Sequence, residues 1–176
     1  MQQITVAISD QNVGRCAKFE HLLQYEQGIQ ILVNAKSNED DMIRDRRLMP
    51  RINITAAEDM VARICRLKPR VLFANIKQCI EADCAMLMTL RHECPDTLVV
   101  LLADESVQEE DQVLRALASG ARGYLDLEAE SSNLSKAVRV IDRGEAWVPR
   151  KMLGKIMDQV SQWCQISSGG HLDPAS

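Results

Sequence analysis

The chain has 176 residues, 46% hydrophobic and 26% charged, which suits one compact domain with its own core and room for a small appendage. A net charge of -4 and only 3% aromatic residues argue against a nucleic-acid surface, which needs a basic footprint and stacking rings. Cys16, Cys65, Cys79, Cys84, Cys94 and Cys164 show no pairing rhythm and no apolar leader precedes Ile4, so a reduced, cytoplasmic protein with no membrane contact is expected.

Short apolar runs alternate with amphipathic stretches, the pattern of βα units feeding a mainly parallel sheet. Ile4 to Ile8 and Ile29 to Val33 predict the first two strands. From Ala35 to Ile54 no periodicity is visible, and Glu39, Asp40 and Asp41 precede Arg44, Arg46, Arg47 and Arg51. A connection of that length is usually functional or mobile, with a solvated charged loop the simpler reading. Met60, Val61, Ile64 and Leu67 then recur at helical spacing, a core stripe. Val71 to Ala74 and Leu98 to Leu102 are apolar on both faces, which marks the sheet centre, and Asp83 falls in the helix between them.

Val113, Leu114 and Leu117 predict the next helix, closed by Gly120 where a left-handed residue is useful, before a strand at Gly123 to Leu125. Leu134, Ala137, Val138 and Ile141 lie on one face of the fifth helix. Leu153, Ile156, Met157, Val160 and Trp163 predict an extra C-terminal amphipathic helix over 150–165, and the Ser/Gly/Pro content of 166–176 is that of a linker. A zinc set drawn from Cys79, Cys84, His92 and Cys94 lacks any C-x2-C pair, so buried thiols are the stronger reading and no metal or cofactor is expected.

Two strings carry a resemblance. Gly120-Ala121-Arg122-Gly123-Tyr124-Leu125 and Ala137-Val138-Arg139-Val140-Ile141-Asp142-Arg143-Gly144-Glu145-Ala146-Trp147 are similar to strings on strand five and helix five of NarL/FixJ-type response regulators. The resemblance covers the receiver domain, roughly Ile4 to Arg150. It implies an α/β fold, a doubly wound five-stranded parallel sheet of order 2-1-3-4-5, over 1–149, with its site at the carboxyl ends of the strands. In that family an aspartate on strand three takes a phosphoryl group, an acidic pair holds Mg2+, a lysine after strand five neutralises phosphoryl oxygens, and a Ser or Thr on strand four bonds the phosphate.

Position by position, the resemblance implies a degenerate pocket. Asn75 stands at the phosphoacceptor position, where a neutral amide cannot act as nucleophile or anionic ligand. Asp10 matches the first acid, but Gln11 replaces the second. Leu127 stands for the lysine, and Leu102 or Ala103 for the hydroxyl, leaving Tyr124 as the aromatic remnant. Losing nucleophile, cation, hydroxyl and one metal ligand together removes the charges the reaction needs.

The expected function is therefore a pseudo-receiver, not an enzyme: a phosphorylation-independent regulatory and dimerisation module of a two-component transcription regulator. The resemblance implies a helix-turn-helix domain beyond the tail, with DNA met only through that absent domain; a chain ending here would be a stand-alone adaptor. A homodimer or partner protein is expected to use the C-terminal helix, through Ile156 or Val160. As an alternative, Trp147-Val148-Pro149-Arg150 loosely resembles a cyclic-dinucleotide motif in which Arg150 would pair with phosphate and Trp147 offer a face. Val148 and Pro149 depart from that motif.

Overall fold

The computed structural model describes residues 2–32 and 56–168. Five parallel strands, β1 (Ile4–Ser9), β2 (Ile29–Ile31), β3 (Val71–Asn75), β4 (Leu98–Leu102) and β5 (Gly123–Leu125), lie in the order β2-β1-β3-β4-β5. The described helices are α1 (Val13–Leu23), α2 (Ala56–Leu67), α3 (Ile76–Glu93), α4 (Glu110–Ala118), α5 (Leu134–Asp142) and α6 (Arg150–Ser168). This is the doubly wound α/β arrangement expected from the alternating pattern. The charged segment at 35–54 lies outside the described residues.

Strand alternation divides the core into two layers. Ala7, Leu72, Ala74 and Leu101 pack with Ile64 of α2, Leu87 and Leu90 of α3 and Val113 of α4. Val6, Ile8, Val71, Phe73, Val100, Leu102 and Leu125 pack with Cys16 and Phe19 of α1 and with Leu134, Ala137, Val138 and Ile141 of α5. The α5 stripe is fully buried, and each such aliphatic side chain contributes about 1.5–3 kcal/mol. Phe19 meets Phe73 edge-on at 5.0 Å between ring centroids, fixing α1 over the sheet centre. Gly120 follows the end of α4 at φ +124, as its placement required.

Three local expectations change. Asp83 is not in regular helix: Ala82, Asp83 and Cys84 have φ of 48°, 56° and 62°, so α3 is broken there, and Cys84 turns into the core. The C-terminal helix runs three residues past 165, to Ser168, because no strong helix breaker follows Gly154 in sequence before Gly169. Six reduced thiols were expected, but Cys65 and Cys94 form a disulfide with Cα atoms 5.9 Å apart. Cys65 sits in the last turn of α2 and Cys94 caps α3, so helix packing joins residues that sequence spacing leaves unrelated. Cys79 is buried, and burial pushes its thiol well above the usual range, with Cys84 adding to the shift, so it behaves as an inert core group.

Candidate functional site

Parallel register brings the carboxyl ends of β1, β3 and β4 together: Ser9 lies opposite Ala74, and Asn75 opposite Leu102. The chain leaves β1 through Asp10, whose side chain is almost wholly buried. One carboxylate oxygen of Asp10 accepts the Asn12 N–H at 2.8 Å, which tightens the turn into α1. Asn12 caps α1 by accepting the Arg15 N–H at 3.1 Å. That turn aims the Arg15 side chain back over the strand ends.

Arg15 is the centre of the pocket. Its Nε lies 2.9 Å from Asp10 Oδ2 and its Nη2 3.1 Å from Asp104 Oδ2, while Nη1 donates to the Ala103 carbonyl at 2.8 Å. The close Nε–Oδ2 approach is an ion pair by distance, yet neither atom makes a well-aligned hydrogen bond, so the attraction there is of charge alone. Asn75 completes the set. Its Nδ2 donates to Asp104 Oδ2 at 2.8 Å and to Asp10 Oδ1 at 3.4 Å, and its Oδ1 accepts the Lys77 N–H at 2.9 Å, capping α3.

The network fixes which way that amide points, because the two carboxylates accept only and the Lys77 amide donates only. Asp104 also accepts from the Ser106 hydroxyl at 2.6 Å and the Ser106 N–H at 2.9 Å. The Ser106 hydroxyl, then the Asn75 amide, the Ser106 N–H and Arg15 hold the Asp104 carboxyl well below the usual carboxylate range. Ser9, also buried, has its hydroxyl 3.1 Å from Gln78 Oε1 and in contact with the Met60 sulfur, which covers the pocket from the side of α2 and α3.

The remaining predicted residues divide. Leu102 and Leu127 are buried in the apolar layer beneath α1 and α5 and offer no polar atom to the strand ends. Ala103 supplies its carbonyl to Arg15, and Gln11 is exposed. Tyr124 is half-buried on the opposite layer, opposite Leu101, and burial followed by the Asp126 charge raises its hydroxyl pKa. This donor set does not fit Mg2+: Asp10 is committed to a guanidinium, and the Asn75 amide turns N–H groups, not oxygen, toward it. Among the described residues no three His, Cys, Asp or Glu side chains gather as a metal site. His92 is exposed, and Cys94 is bonded to Cys65.

No family model and no curated protein matches the sequence. Solved structures do. The receiver domain of RcsB from Salmonella enterica serovar Typhimurium, in the apo form, superposes with a TM-score of 0.60 at 11% identity, over 89% of this chain and 99% of that one. The fold is that of receiver domains. The non-phosphorylated receiver domain of the stress response regulator RcsB from Escherichia coli matches at TM-score 0.59 and 12% identity, over 85% of this chain and all of that one. A signal receiver domain assigned to NarL from Mycobacterium tuberculosis gives 0.59 at 18% identity, over 82% and 100%.

On this receiver fold the two outlying predictions fall at the β5 edge and on α6. Trp147 bridges to Gly123 as a one-residue extension of the sheet: its carbonyl accepts the Tyr124 N–H at 2.8 Å and its N–H donates to Arg122 at 3.2 Å. A Cβ on Gly123 would stand 2.9 Å from that carbonyl, so this edge requires glycine. The Trp147 side chain packs on the α1/α5 layer, and Arg150 opens α6 in solvent. Ile156 is half-buried against a cleft facing α4, and Val160 is exposed.

Sequence reasoning missed Arg15 and Ser106 and passed over Asp104. A signal was present. Two acids at the ends of β1 and β4, Asp10 and Asp104, flank a polar amide at the end of β3, Asn75, and so demand a buried cation, and Arg15 lies in the first turn after the Asn12 cap.

Proposed function

We propose that the chain is a pseudo-receiver: a regulatory module of a two-component-type transcription regulator, of the NarL/FixJ kind, that works without phosphorylation or catalysis. The carrying observation is the Arg15 guanidinium, which pairs with Asp10 and Asp104 across the strand ends. A receiver that takes phosphate needs those ends to present carboxylates to a metal ion and a nucleophile to the donor. Here a cation from the chain itself occupies the carboxylates, and Asn75 stands in the nucleophile position with both ends of its amide engaged. Control then has to come through binding at another surface, and DNA would be met through a separate domain.

The test is incubation with acetyl phosphate, or with beryllofluoride, in the presence of Mg2+. Intact mass unchanged and amide resonances of 75–77 and 103–106 unmoved are the expected results. A mass increment of one phosphoryl group, or beryllofluoride shifts confined to those strand ends, would overturn the reading.

A further inference from the structure

Helix α6 is tied to the body at one end and along one side. Lys151 and Lys155 both pair with Glu110 at the start of α4, and Met152 is buried in the core. Its other side is different. Leu153, Met157, Val160 and Cys164 follow one another at steps of four, three and four residues, which places them in one line along the helix. All four are exposed, Met157 at 65%. Trp163, at 59%, stands beside the line, while Ile166, two residues past Cys164, falls on the far side of the helix. Two members of the line, Leu153 and Val160, also edge a cleft of about 300 Å³ against α4, with Leu114, Leu117, Ile156 and Trp163 among its other walls.

We infer that this face is the contact between two copies of the chain, paired α6 to α6. The inference rests on the reading of the chain as a module controlled through binding, and it names the partner. The four-three-four spacing is that of a two-stranded helical seam, and such a seam matches a copy of itself. Charge excludes a strongly acidic or basic partner: from Leu153 to Ile166 the helix carries only Lys155 and Asp158, of opposite sign, and Lys155 is already paired with Glu110. Area agrees with a pair. The exposed parts of Leu153, Met157, Val160 and Trp163 amount to roughly 400 Å² per copy, so two copies bring about 800 Å², the size of a weak, concentration-dependent contact. The α4–α6 cleft beside the seam gives the partner's larger side chains a place to enter.

Sedimentation of the full chain across micromolar concentrations, with Met157→Glu beside the wild type, tests this. The wild type is expected to form a concentration-dependent dimer, and Met157→Glu to sediment as a monomer with unchanged circular dichroism and melting temperature. Cys164 reports the location, since the other cysteines outside the disulfide are buried. Its maleimide labelling should slow several-fold on dimerisation and recover in Met157→Glu. A wild type that stays monomeric would overturn the inference, as would a dimer that survives Met157→Glu or leaves Cys164 labelling unchanged. Phosphoryl labelling is read separately by mass, so a monomer that takes no phosphate sinks the pairing alone, and a labelled dimer sinks the pseudo-receiver reading alone.

Discussion

At the strand ends, Asp10, Arg15, Asn75 and Asp104 pair with one another, whereas along α6 the side chains of Leu153, Met157, Val160, Trp163 and Ile166 stand in solvent. The first region is polar and paired within itself. The second is apolar and open. A phosphate-operated receiver would need the reverse at its strand ends, a charge deficit there that an outside ligand fills. On the pseudo-receiver proposal the ligand's place is taken from within, and the open apolar surface lies on the C-terminal helix. Perturbing the pocket should therefore change stability and leave association alone, and perturbing α6 should do the opposite.

Arg15→Ala should have the largest effect. It leaves the Asp10 carboxylate, 1% exposed, with no counter-charge, and uncompensated buried charges cost about 3 kcal/mol. For a chain of this size that lowers the melting temperature by roughly 10 °C. Adding Asp10→Ala should recover part of the loss, since the orphaned charge goes with it; thermal melts of the single and double variants check the coupling. An Arg15→Ala melt within a degree of the wild type would mean that the pair contributes nothing.

Asn75→Asp places a third acid at the strand ends and should destabilise. A third carboxylate would replace the amide that donates to Asp10 and Asp104, with Arg15 the cation placed among them. Loss of the donated bonds and the added repulsion cost about 2 kcal/mol. Urea denaturation gives the value, and repeating it with Mg2+ sharpens the contrast. Metal-dependent recovery would show that Arg15 yields to a divalent ion once three acids are present.

Much of the fold was legible because its signals are local or periodic. The two all-apolar runs located β3 and β4, and the α5 stripe named four residues that are all buried. Of the strand-end cluster the sequence singled out Asp10 and Asn75, each at the end of a recognisable strand, while Leu102 and Leu127 lie in the apolar layer away from it. Arg15 was not singled out, because its role depends on where α1 points after the Asn12 cap, a matter of three dimensions. The Cys65–Cys94 bond escaped for the same reason, being set by helix packing between residues 29 apart. The α6 stripe was visible in sequence, but which of its residues face α4 and which face solvent was not. Ile156 turned inward, Met157 turned outward, and Leu153 stands at the edge of the cleft against α4.

A smaller effect is expected from pH. The Asp104 carboxyl is held below its unfolded value of about 3.9, so the stabilisation it brings is complete above that pH and falls away as pH drops through the lower folded value. Asp104→Asn removes this dependence. Its acid unfolding midpoint should differ from the wild type's only below about pH 4, the two chains melting in parallel at neutral pH apart from a constant offset. A difference that instead grows between pH 5 and 8 would assign the pH response to another group.

The smallest effect on stability should come from α6, where Val160→Asp replaces a side chain already 46% exposed. An exposed substitution away from caps and buried partners stays within about 0.5 kcal/mol, so melts of the isolated chain at low concentration should barely move. The same variant should abolish the concentration dependence of the wild-type melt, because a pairing that exists only in the folded state raises the melting temperature by mass action. Pocket and helix thus separate in one measurement. Arg15→Ala lowers the melt at every concentration, and Val160→Asp lowers it only where the wild type is dimeric.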